Sequence, residues 1–335
     1  MKAYHLSSPT GISALTPIEL AEPVPAAGQV VVRVRATSLN YRDLMVIAGD
    51  YGRIRTPLVP LSDGAGEIVA VGDAVDRSRI GERVAGLFFQ KWTHGAFPGD
   101  AFRHALGATL PGMLAEFVAL PEAGVVGIPE QLSFEEAATL PCAALTAWNA
   151  LVTRGGIASD ETVVLLGTGG VSIFSLQFAK MHGARVIITS SSDEKLQRAR
   201  ALGADETINY RATPDWEKAV LDLTGGKGAE HVFEVGGRDT FPKSLKAAAV
   251  NGTVYVIGGV AGFTAETPLR ALITRNVTVR GIAVGSRAMH EAMNRAIARN
   301  KLQPVVDRAF PFAEAGKAYE LLQAGGHFGK VVITL

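Results

Sequence analysis

The sequence predicts an α/β protein in which a β-rich first third precedes a doubly wound parallel sheet. Two changes of pattern carry this prediction. Short strand-like runs separated by Gly, Pro, Asp and Asn reach to about residue 128, and apolar strands alternate with helices after that point. The 335 residues suffice for about two domains. We therefore expect one domain over residues 1–128, a second over 129–274 and a return segment over 275–335.

The first domain is predicted from short runs of β-type residues. The clearest of these runs are Val31–Val34, Glu67–Val71, Val84–Phe88 and Glu116–Leu120. Each run is flanked by residues that favour turns, and no long helical period interrupts them. Residues 1–128 are therefore expected to consist mostly of strands.

The second domain is predicted from an alternation of strands and helices. Ser133 opens it with a capping-box pattern, because Glu136 follows three residues later. Strands are expected at Thr162–Leu166, Arg185–Thr189, Thr207–Asn209, Glu230–Val235 and Thr253–Ile257, with helices at Val171–His182, Asp193–Leu202, Trp216–Leu223 and Phe241–Ala248. Apolar strands that alternate with helices form a parallel sheet covered on both faces.

The return segment is predicted to hold two strands and two helices. The strands are expected at Val277–Ile282 and Lys330–Thr334, and the helices at Arg287–Ala298 and Ala313–Gln323. We expect this segment to pack on the β-rich first third, which would make that domain discontinuous.

Composition excludes several classes of function. The net charge of +1 gives no surface-wide basic field, which argues against a nucleic-acid partner. The uncharged stretches Ala137–Thr153, Thr162–Ala179 and Ala247–Ala265 are interrupted by polar residues, Gly or Pro, so we expect buried core rather than membrane spans. The N-terminus lacks the apolar stretch of a secretory signal, which predicts a cytoplasmic protein.

The counts of metal-ligating residues bound the possible metal sites. Cys142 is the single cysteine, so an intrachain disulfide and a four-cysteine zinc site are both excluded. His94 and His104 flank a loop over Trp92–Leu106, and such loop histidines are more often solvated than bound to a metal. The sequence therefore predicts no metal site.

A glycine-rich turn after the Thr162–Leu166 strand predicts a phosphate-binding loop. It contains Gly167, Thr168, Gly169, Gly170, Val171 and Ser172 and leads directly into a helix. Glycines let backbone N–H groups and the positive end of the helix dipole approach a pyrophosphate closely. Ser172 stands where the dinucleotide fingerprint has its third glycine. A purely structural glycine turn is the alternative interpretation.

The residue about twenty positions past these glycines bears on the cofactor. It is Ser190, followed by Ser191, and not the acidic residue that would bind a ribose hydroxyl. With no carboxylate to repel it, a 2′-phosphate could be held by these serines and by the cation of Lys195. This pattern favours NADP(H) over NAD(H). The alternative is that the serines and Asp193 only cap the following helix.

An ordered series of segments resembles the medium-chain dehydrogenase/reductase superfamily. They are L-N-Y-R-D-L (39–44), D-G-A-G-E-I-V-A-V-G (63–72), G-E-R-V (81–84), L-P-C-A-A-L-T-A-W (140–148), L-G-A-D (202–205), E-V-G-G (234–237) and H-F-G-K-V-V (327–332). The resemblance implies a GroES-like catalytic domain and a Rossmann domain, with the active site in the cleft between them.

The zinc ligands of alcohol dehydrogenases in this superfamily are not matched. Asn40 falls on the first ligand position and Ser62 on the histidine position, with Asp63 after it; only Cys142 fits. The sequence instead resembles the quinone oxidoreductase and enoyl reductase branches, which lack zinc.

In those branches an Asn and a Tyr eleven residues later line the nicotinamide pocket. Asn40 and Tyr51 have this spacing. The resemblance implies that Asn40 orients the ribose or the substrate carbonyl and that Tyr51 donates a hydrogen bond and then a proton to the oxyanion. Tyr41 is a second possible donor. The structural alternatives are a strand-end cap for Asn40 and a packed turn residue for Tyr51.

The resemblance also implies a set of cofactor contacts. It assigns Thr146 to the phosphate or carboxamide side, Tyr210 to the 2′-phosphoadenosine end, and Lys330 to the nicotinamide-side phosphate. Strand-end residues expected to line the dinucleotide are Val235, Gly236, Gly237, Ile257 and Gly258.

Together these patterns predict a zinc-independent, NADPH-dependent oxidoreductase that transfers a hydride to a quinone, an enone or another carbonyl compound. The alternatives are a zinc-type alcohol dehydrogenase and a dinucleotide-binding protein without turnover. A small-molecule substrate is expected, and the Val277–Ile282 strand resembles the edge through which family members form dimers.

Overall fold

The computed structural model describes residues 1–267 and 269–335 and contains fifteen strands and ten α-helices within them. Two compact units are formed, one by Met1–Leu145 with Val284–Leu335 and the other by Thr146–Ala283. The contacts therefore divide the chain after Leu145 and Ala283, so that 129–145 groups with the first unit and 275–283 with the second. No helix among the described residues has the length and apolar character to cross a membrane.

The first unit is built on a mainly antiparallel sheet. Its strands are β1 (Lys2–Leu6), β2 (Leu15–Glu19), β3 (Gln29–Ser38), β4 (Asp63–Val71), β5 (Arg83–Gly86), β6 (Phe117–Pro121), β7 (Val125–Gly127), β14 (Val306–Pro311) and β15 (Lys330–Thr334). The order is β14-β15-β3-β4-β5-β7, with β6 also paired to β3 and with β1 and β2 forming a separate hairpin-like pair. The return segment thus joins this sheet through β15, which pairs with β3.

Four α-helices complete the first unit. They are α1 (Tyr41–Ala48), α2 (Phe134–Ala137), α9 (Arg287–Asn300) and α10 (Ala315–Gln323). Apolar side chains of α1 and α10 share one core with β1 and β15, and a second core lies under β3, β4 and β6.

Helix α1 was not expected from the sequence, which predicts mostly strands in the first third of the chain. Asn40 and Asp43 form a capping box at its start, because the Asn40 backbone N–H donates to Asp43 Oδ2 over 2.8 Å. Val46 and Ile47 bury its apolar face, and Gly49 ends it with a left-handed φ of 85°. The capping pattern was present in the sequence, but the surrounding strand and turn signals obscured it.

The second unit is a six-stranded parallel sheet with helices between its strands. Its strands are β8 (Thr162–Leu165), β9 (Arg185–Ser190), β10 (Glu206–Asn209), β11 (Ala229–Glu234), β12 (Ala248–Val256) and β13 (Thr278–Gly281), in the order β10-β9-β8-β11-β12-β13. The helices are α3 (Leu145–Trp148), which begins at the unit boundary, α4 (Gly170–Met181), α5 (Asp193–Ala201), α6 (Trp216–Leu223), α7 (Phe241–Ala247) and α8 (Leu269–Arg275). This confirms the predicted doubly wound α/β sheet.

Candidate active site

Three strand ends of the first unit meet at one edge of its sheet. Ser38 at the end of β3 is in register with Asp63, which begins β4, and with Val332 near the start of β15. Asn40 follows β3 by two residues, and Lys330 is the first residue of β15. Strand pairing therefore brings together Asn40, Asp63 and Lys330, which are far apart in the sequence.

Lys330 is the cation of this cluster. Its side chain is only 3% exposed. The ammonium donates a hydrogen bond to Asn40 Oδ1 over 2.6 Å and another to the backbone oxygen of Leu39. Burial lowers the pKa of Lys330, while the negative charge of Asp63 opposes that shift.

Asp63 is the buried carboxylate of the cluster. Its Oδ1 accepts a hydrogen bond from Ser62 Oγ over 2.7 Å, and its Oδ2 accepts one from the backbone N–H of Cys142 over 3.1 Å. Burial raises the pKa of Asp63, and Lys330 and the Asn40 amide oppose that effect. The Asn40 amide nitrogen is buried without a hydrogen bond of regular geometry within the described residues. The cluster thus places one ammonium and one carboxylate around a buried amide.

Arg42 and Tyr51 form the second part of the site. Arg42 Nη1 donates to Asp43 Oδ1 over 3.0 Å and to the backbone oxygen of Leu106 over 3.1 Å. The guanidinium carbon lies 4.4 Å from the centroid of the Tyr51 ring and 5.0 Å from that of Phe88. The cation therefore contacts the faces of two aromatic rings.

The ionisable groups of this second part are shifted by burial. Burial outweighs the attraction of Arg42 and raises the pKa of Asp43 to about 6. Burial also raises the pKa of Tyr51, against the opposing effect of Arg42. The phenol of Tyr51 is therefore protonated at neutral pH and is beside a permanent cation.

The residues at the zinc-ligand positions do not fit a zinc ion. The amide oxygen of Asn40 accepts a hydrogen bond from Lys330, and the carboxylate of Asp63 accepts two. Burial and the nearby Asp63 raise the pKa of the Cys142 thiol. In the part of the chain that the structure describes, no three His, Cys, Asp or Glu side chains are grouped to hold a metal.

The two loop histidines are separate from this cluster. His94 is exposed, and His104 Nε2 lies 3.5 Å from Asp100 Oδ2. The intervening loop instead packs aromatic rings: Phe89 contacts Trp92 and Phe97 at centroid distances of 6.2 and 5.8 Å.

The glycine turn of the second unit joins β8 to α4. Gly167 has a left-handed φ of 71°, and Gly169 is the N-cap residue of α4. A Cβ added to either glycine would meet no atom within 4 Å, so the loop is open where a phosphate would approach. Gly170 begins α4, Thr168 is buried and Val171 is half-buried.

A hydrogen bond of Ser172 accounts for serine at the third glycine position of the fingerprint. Its Oγ donates to the backbone oxygen of Leu166 over 2.7 Å, which connects the first turn of α4 to the end of β8. The hydroxyl thus supplies a helix-to-strand contact at a position where close packing usually selects glycine.

The end of β9 gathers the residues predicted to contact a 2′-phosphate. Ser190 is buried, Ser191 and Lys195 are half-buried, and Tyr210 donates its backbone N–H to the Ser190 oxygen over 3.1 Å. The helix cap is Ser192, whose Oγ accepts a hydrogen bond from the Lys195 N–H over 3.3 Å. Capping therefore uses Ser192 and leaves the side chains of Ser191 and Lys195 outside the cap.

The turn after β11 is organised by Glu234, which sequence reasoning did not single out. Its buried Oε1 accepts hydrogen bonds from the N–H groups of Gly236 and Gly237 over 2.7 and 2.8 Å. Ser244 Oγ donates to Oε2 over 2.5 Å. The acidic residue that begins E-V-G-G was the available signal.

The remaining predicted cofactor residues are distributed over both units. Val235, Ile257 and Gly258 are half-buried beside this turn. Thr146 is buried in α3, between π-helical turns at Leu140–Ala144 and Asn149–Arg154. Lys330 belongs to the first unit, where its ammonium is engaged with Asn40.

Two family models match the chain. The alcohol dehydrogenase GroES-like domain matches residues 26–130, and the zinc-binding dehydrogenase model matches residues 170–299. Together they cover the β-rich part of the first unit and most of the parallel-sheet unit.

Curated relatives align along nearly the whole chain. A zinc-type alcohol dehydrogenase-like protein of Schizosaccharomyces pombe is 43% identical, covering 97% of this chain and 96% of its own. An acryloyl-coenzyme A reductase of Metallosphaera sedula is 30% identical, covering 94% and 95%. A quinone oxidoreductase of Pseudomonas aeruginosa is 32% identical, covering 93% and 92%.

Solved structures have the same fold. An NAD-dependent alcohol dehydrogenase is 34% identical with a TM-score of 0.90, and 100% of each chain is covered. A mycobacterial protein in complex with NADPH is 25% identical with a TM-score of 0.86, and again 100% of each chain is covered. With the family models and the relatives, these likenesses identify the chain as an oxidoreductase of the medium-chain dehydrogenase/reductase superfamily.

Proposed function

We propose that this protein is a zinc-independent, NADPH-dependent reductase of quinones, enones or related carbonyl compounds. The observation that carries the proposal is the hydrogen bond from Lys330 to Asn40 beside Asp63. It engages Asn40, the residue at the first zinc-ligand position, with an ammonium instead of a metal ion. Relatives named quinone oxidoreductase and acryloyl-coenzyme A reductase support reduction of conjugated substrates.

The second unit holds the cofactor in this proposal. The open turn at Gly167 and Gly169 binds the pyrophosphate through backbone N–H groups at the start of α4. Ser190, Ser191 and Lys195 select the 2′-phosphate, because the last residue of β9 is Ser190 and not an acidic residue that would repel it. The bound cofactor supplies the hydride, and the protein supplies binding and orientation.

Tyr51 and Asn40 serve the substrate. A hydride added to the electron-poor carbon leaves an enolate or hydroquinone oxyanion, and the NADPH is oxidised to NADP⁺. Tyr51 Oη first donates a hydrogen bond to that oxygen and then gives up its proton, which solvent restores. Arg42, whose guanidinium carbon lies 4.4 Å from the centroid of the Tyr51 ring, stabilises the transient phenolate. Asn40 orients the carbonyl or the ribose through an N–H of its amide, whose nitrogen has no hydrogen bond of regular geometry within the described residues.

The test is NADPH oxidation by metal-depleted protein, followed at 340 nm with quinones, enones, aldehydes and alcohols. We expect turnover of the conjugated compounds without added metal, and retained activity in Cys142→Ala. Stoichiometric zinc in the purified protein, with activity lost on chelation and restored by zinc, would instead establish an alcohol dehydrogenase. Tight NADPH binding with no turnover of any compound would favour a cofactor-binding protein without catalysis.

We further infer that the protein is a homodimer. β13 is the edge strand of the parallel sheet, and Val279 within it is exposed. Ile273 in α8, just before β13, is 79% exposed. An uncovered apolar edge pairs readily with a second copy. Light scattering during size-exclusion chromatography tests the mass, and Val279→Lys is expected to yield the monomer.

A further inference from the structure

An open cavity of about 410 Å³ lies in the first unit, with Tyr51 in its wall. Its lining consists of Tyr51, Arg53, Phe102, Arg103, Ala108 and Thr109. This volume falls within the range of about 300–1,000 Å³ that small-molecule sites occupy. The proposed proton donor therefore faces a space large enough for a substrate.

The charges of this cavity are of one sign. Arg53 and Arg103 line it, and no Asp or Glu is among its lining residues. Across residues 1–267 and 269–335, neither arginine takes part in an ion pair or a side-chain hydrogen bond. Their five N–H donors each are therefore available to a ligand, and the geometry of guanidinium suits carboxylate and phosphate.

The walls that carry the arginines are tied to each other by hydrogen bonds. The backbone N–H of Arg55 donates to the Ala108 oxygen over 3.0 Å, which joins the segment after Tyr51 to the loop that contains Arg103. Thr109 Oγ1 donates to the Phe102 oxygen over 2.9 Å and accepts from the Ala105 N–H over 3.2 Å. The backbone on both sides of the cavity is thus held in place, while the charged ends stay in contact with solvent.

The lining of the cavity also includes the apolar side chains of Phe102 and Ala108. Phe102 is 51% exposed and contacts Phe89 edge-to-face at 5.3 Å, so its ring is supported from within the loop. Ala108 is buried beside it. An apolar or aromatic body would bury this surface, and an anionic end would then reach Arg53 and Arg103.

We propose that the substrate is an anionic conjugated carbonyl compound, whose carboxylate or phosphate group is bound by Arg53 and Arg103 while its carbonyl reaches Tyr51. This inference rests on the proposed reductase activity. It adds the substrate class: an apolar linker with the reducible group at one end and a negative charge at the other.

Matched substrates test the charge requirement. The enone 4-(3-oxobut-1-enyl)benzoate, its methyl ester and the phosphate monoester of 4-hydroxybenzalacetone share one reducible group, and kcat/KM is measured with NADPH for each. We expect the charged compounds to be preferred over the ester by about 10- to 100-fold, which one or two charge-assisted hydrogen bonds provide. The ratio of kcat/KM for the carboxylate to kcat/KM for the phosphate identifies the preferred anion. A higher salt concentration should reduce the preference for both charged compounds over the ester.

Variants of the two arginines test whether Arg53 and Arg103 cause the preference for charged substrates. In Arg53→Gln/Arg103→Gln, the preference for charged substrates should fall to about one, mainly through a higher KM. Arg77→Gln removes an exposed arginine elsewhere in the unit and should leave the preference unchanged. Equal kcat/KM for acid and ester in the unaltered protein, or a preference retained in the double variant, would overturn the inference.

A binding measurement separates this inference from the proposed activity. The saturated ketone 4-(3-oxobutyl)benzoate is titrated calorimetrically into the protein with NADP⁺ present. Binding that weakens about 10-fold or more in the double variant supports the anion site even if no compound is reduced, in which case only the proposed reductase activity fails. Turnover of the neutral ester without any preference for the anions would contradict the anion site alone. The absence of both turnover and binding would contradict the anion site and the reductase activity together.

Discussion

Lys330 donates a hydrogen bond to Asn40 Oδ1 over 2.6 Å, although the two residues are 290 positions apart in the sequence. The contact exists because β15 pairs with β3, and Asn40 follows β3 directly. It places a buried ammonium near the carboxylate of Asp63. The charge at this site and the orientation of the Asn40 amide then depend on protein side chains.

Replacing Lys330 by Met should destabilise the protein by about 3 kcal/mol, because it leaves two buried acceptors, Asn40 Oδ1 and the Leu39 oxygen, without their donor and removes the cation near Asp63. Activity should fall as well, since Asn40 loses the donor that fixes its amide. Urea unfolding and kcat measure the two effects. Lys317→Met is the control, because Lys317 is exposed and pairs with Glu314 at the surface. Unfolding midpoints that match between the two variants would contradict the role assigned to Lys330.

Tyr51→Phe should lower kcat by about 10²- to 10³-fold, in the range that positioned proton donors contribute. Phenylalanine keeps the ring against Arg42, so the unfolding free energy should change by less than about 1 kcal/mol. Affinity for NADPH, followed by fluorescence titration, should be unchanged. Tyr41→Phe tests the second possible donor, an exposed residue, and should retain activity. The reverse pattern would assign the proton to Tyr41.

Ser190→Asp should shift cofactor preference towards NADH. Ser190 is buried at the end of β9 beside Tyr210, where a carboxylate would repel a 2′-phosphate and accept a hydrogen bond from a ribose hydroxyl. The ratio of kcat/KM for NADPH over NADH should fall by roughly tenfold or more, which corresponds to about 1.4 kcal/mol. Ser8→Asp, at an exposed position of the other unit, should leave it unaltered. An unchanged ratio in Ser190→Asp would remove the 2′-phosphate from this edge.

His290→Leu should reduce the loss of stability in acid. His290 is buried in α9, neither ring nitrogen has a partner within the described residues, and burial lowers its pKa to about 3. The unfolded chain takes up this proton near pH 6.5 while the folded chain does not, so stability falls as pH decreases from about 6.5 towards 3. Between pH 7 and 4.5 this histidine should account for about 2–3 kcal/mol.

Urea unfolding at pH 7 and pH 4.5 measures that difference. Asp43 acts in the opposite direction, because its pKa is raised to about 6 and protonation favours the folded state as pH falls. The comparison is therefore made between the unaltered protein and the variant, because both contain Asp43 and its effect cancels. His94→Leu, at an exposed loop position, should retain the full acid sensitivity. Equal acid sensitivity in His290→Leu would assign the effect to other groups.

Local pattern was sufficient for much of the second unit. Trp216–Leu223 in this unit and Lys330–Thr334 in the first unit have the bounds that the sequence predicts, because apolar periodicity and flanking turn residues are local signals. Helix α1 was missed, because its eight residues lie among strands and are too few to show a clear helical periodicity. Strand β14 was also missed, because the charged residues Asp307 and Arg308 interrupt its apolar alternation.

The sequence by itself determined the class of fold and the glycine turn at Gly167. These depend on residue type and on spacing along a short stretch of chain. Only the tertiary structure decided that Lys330 binds Asn40, that Arg42 covers Tyr51 and that Arg53 and Arg103 share a cavity. Such contacts follow from strand pairing and loop packing between distant segments, and no local pattern encodes which of the many cations and rings will meet.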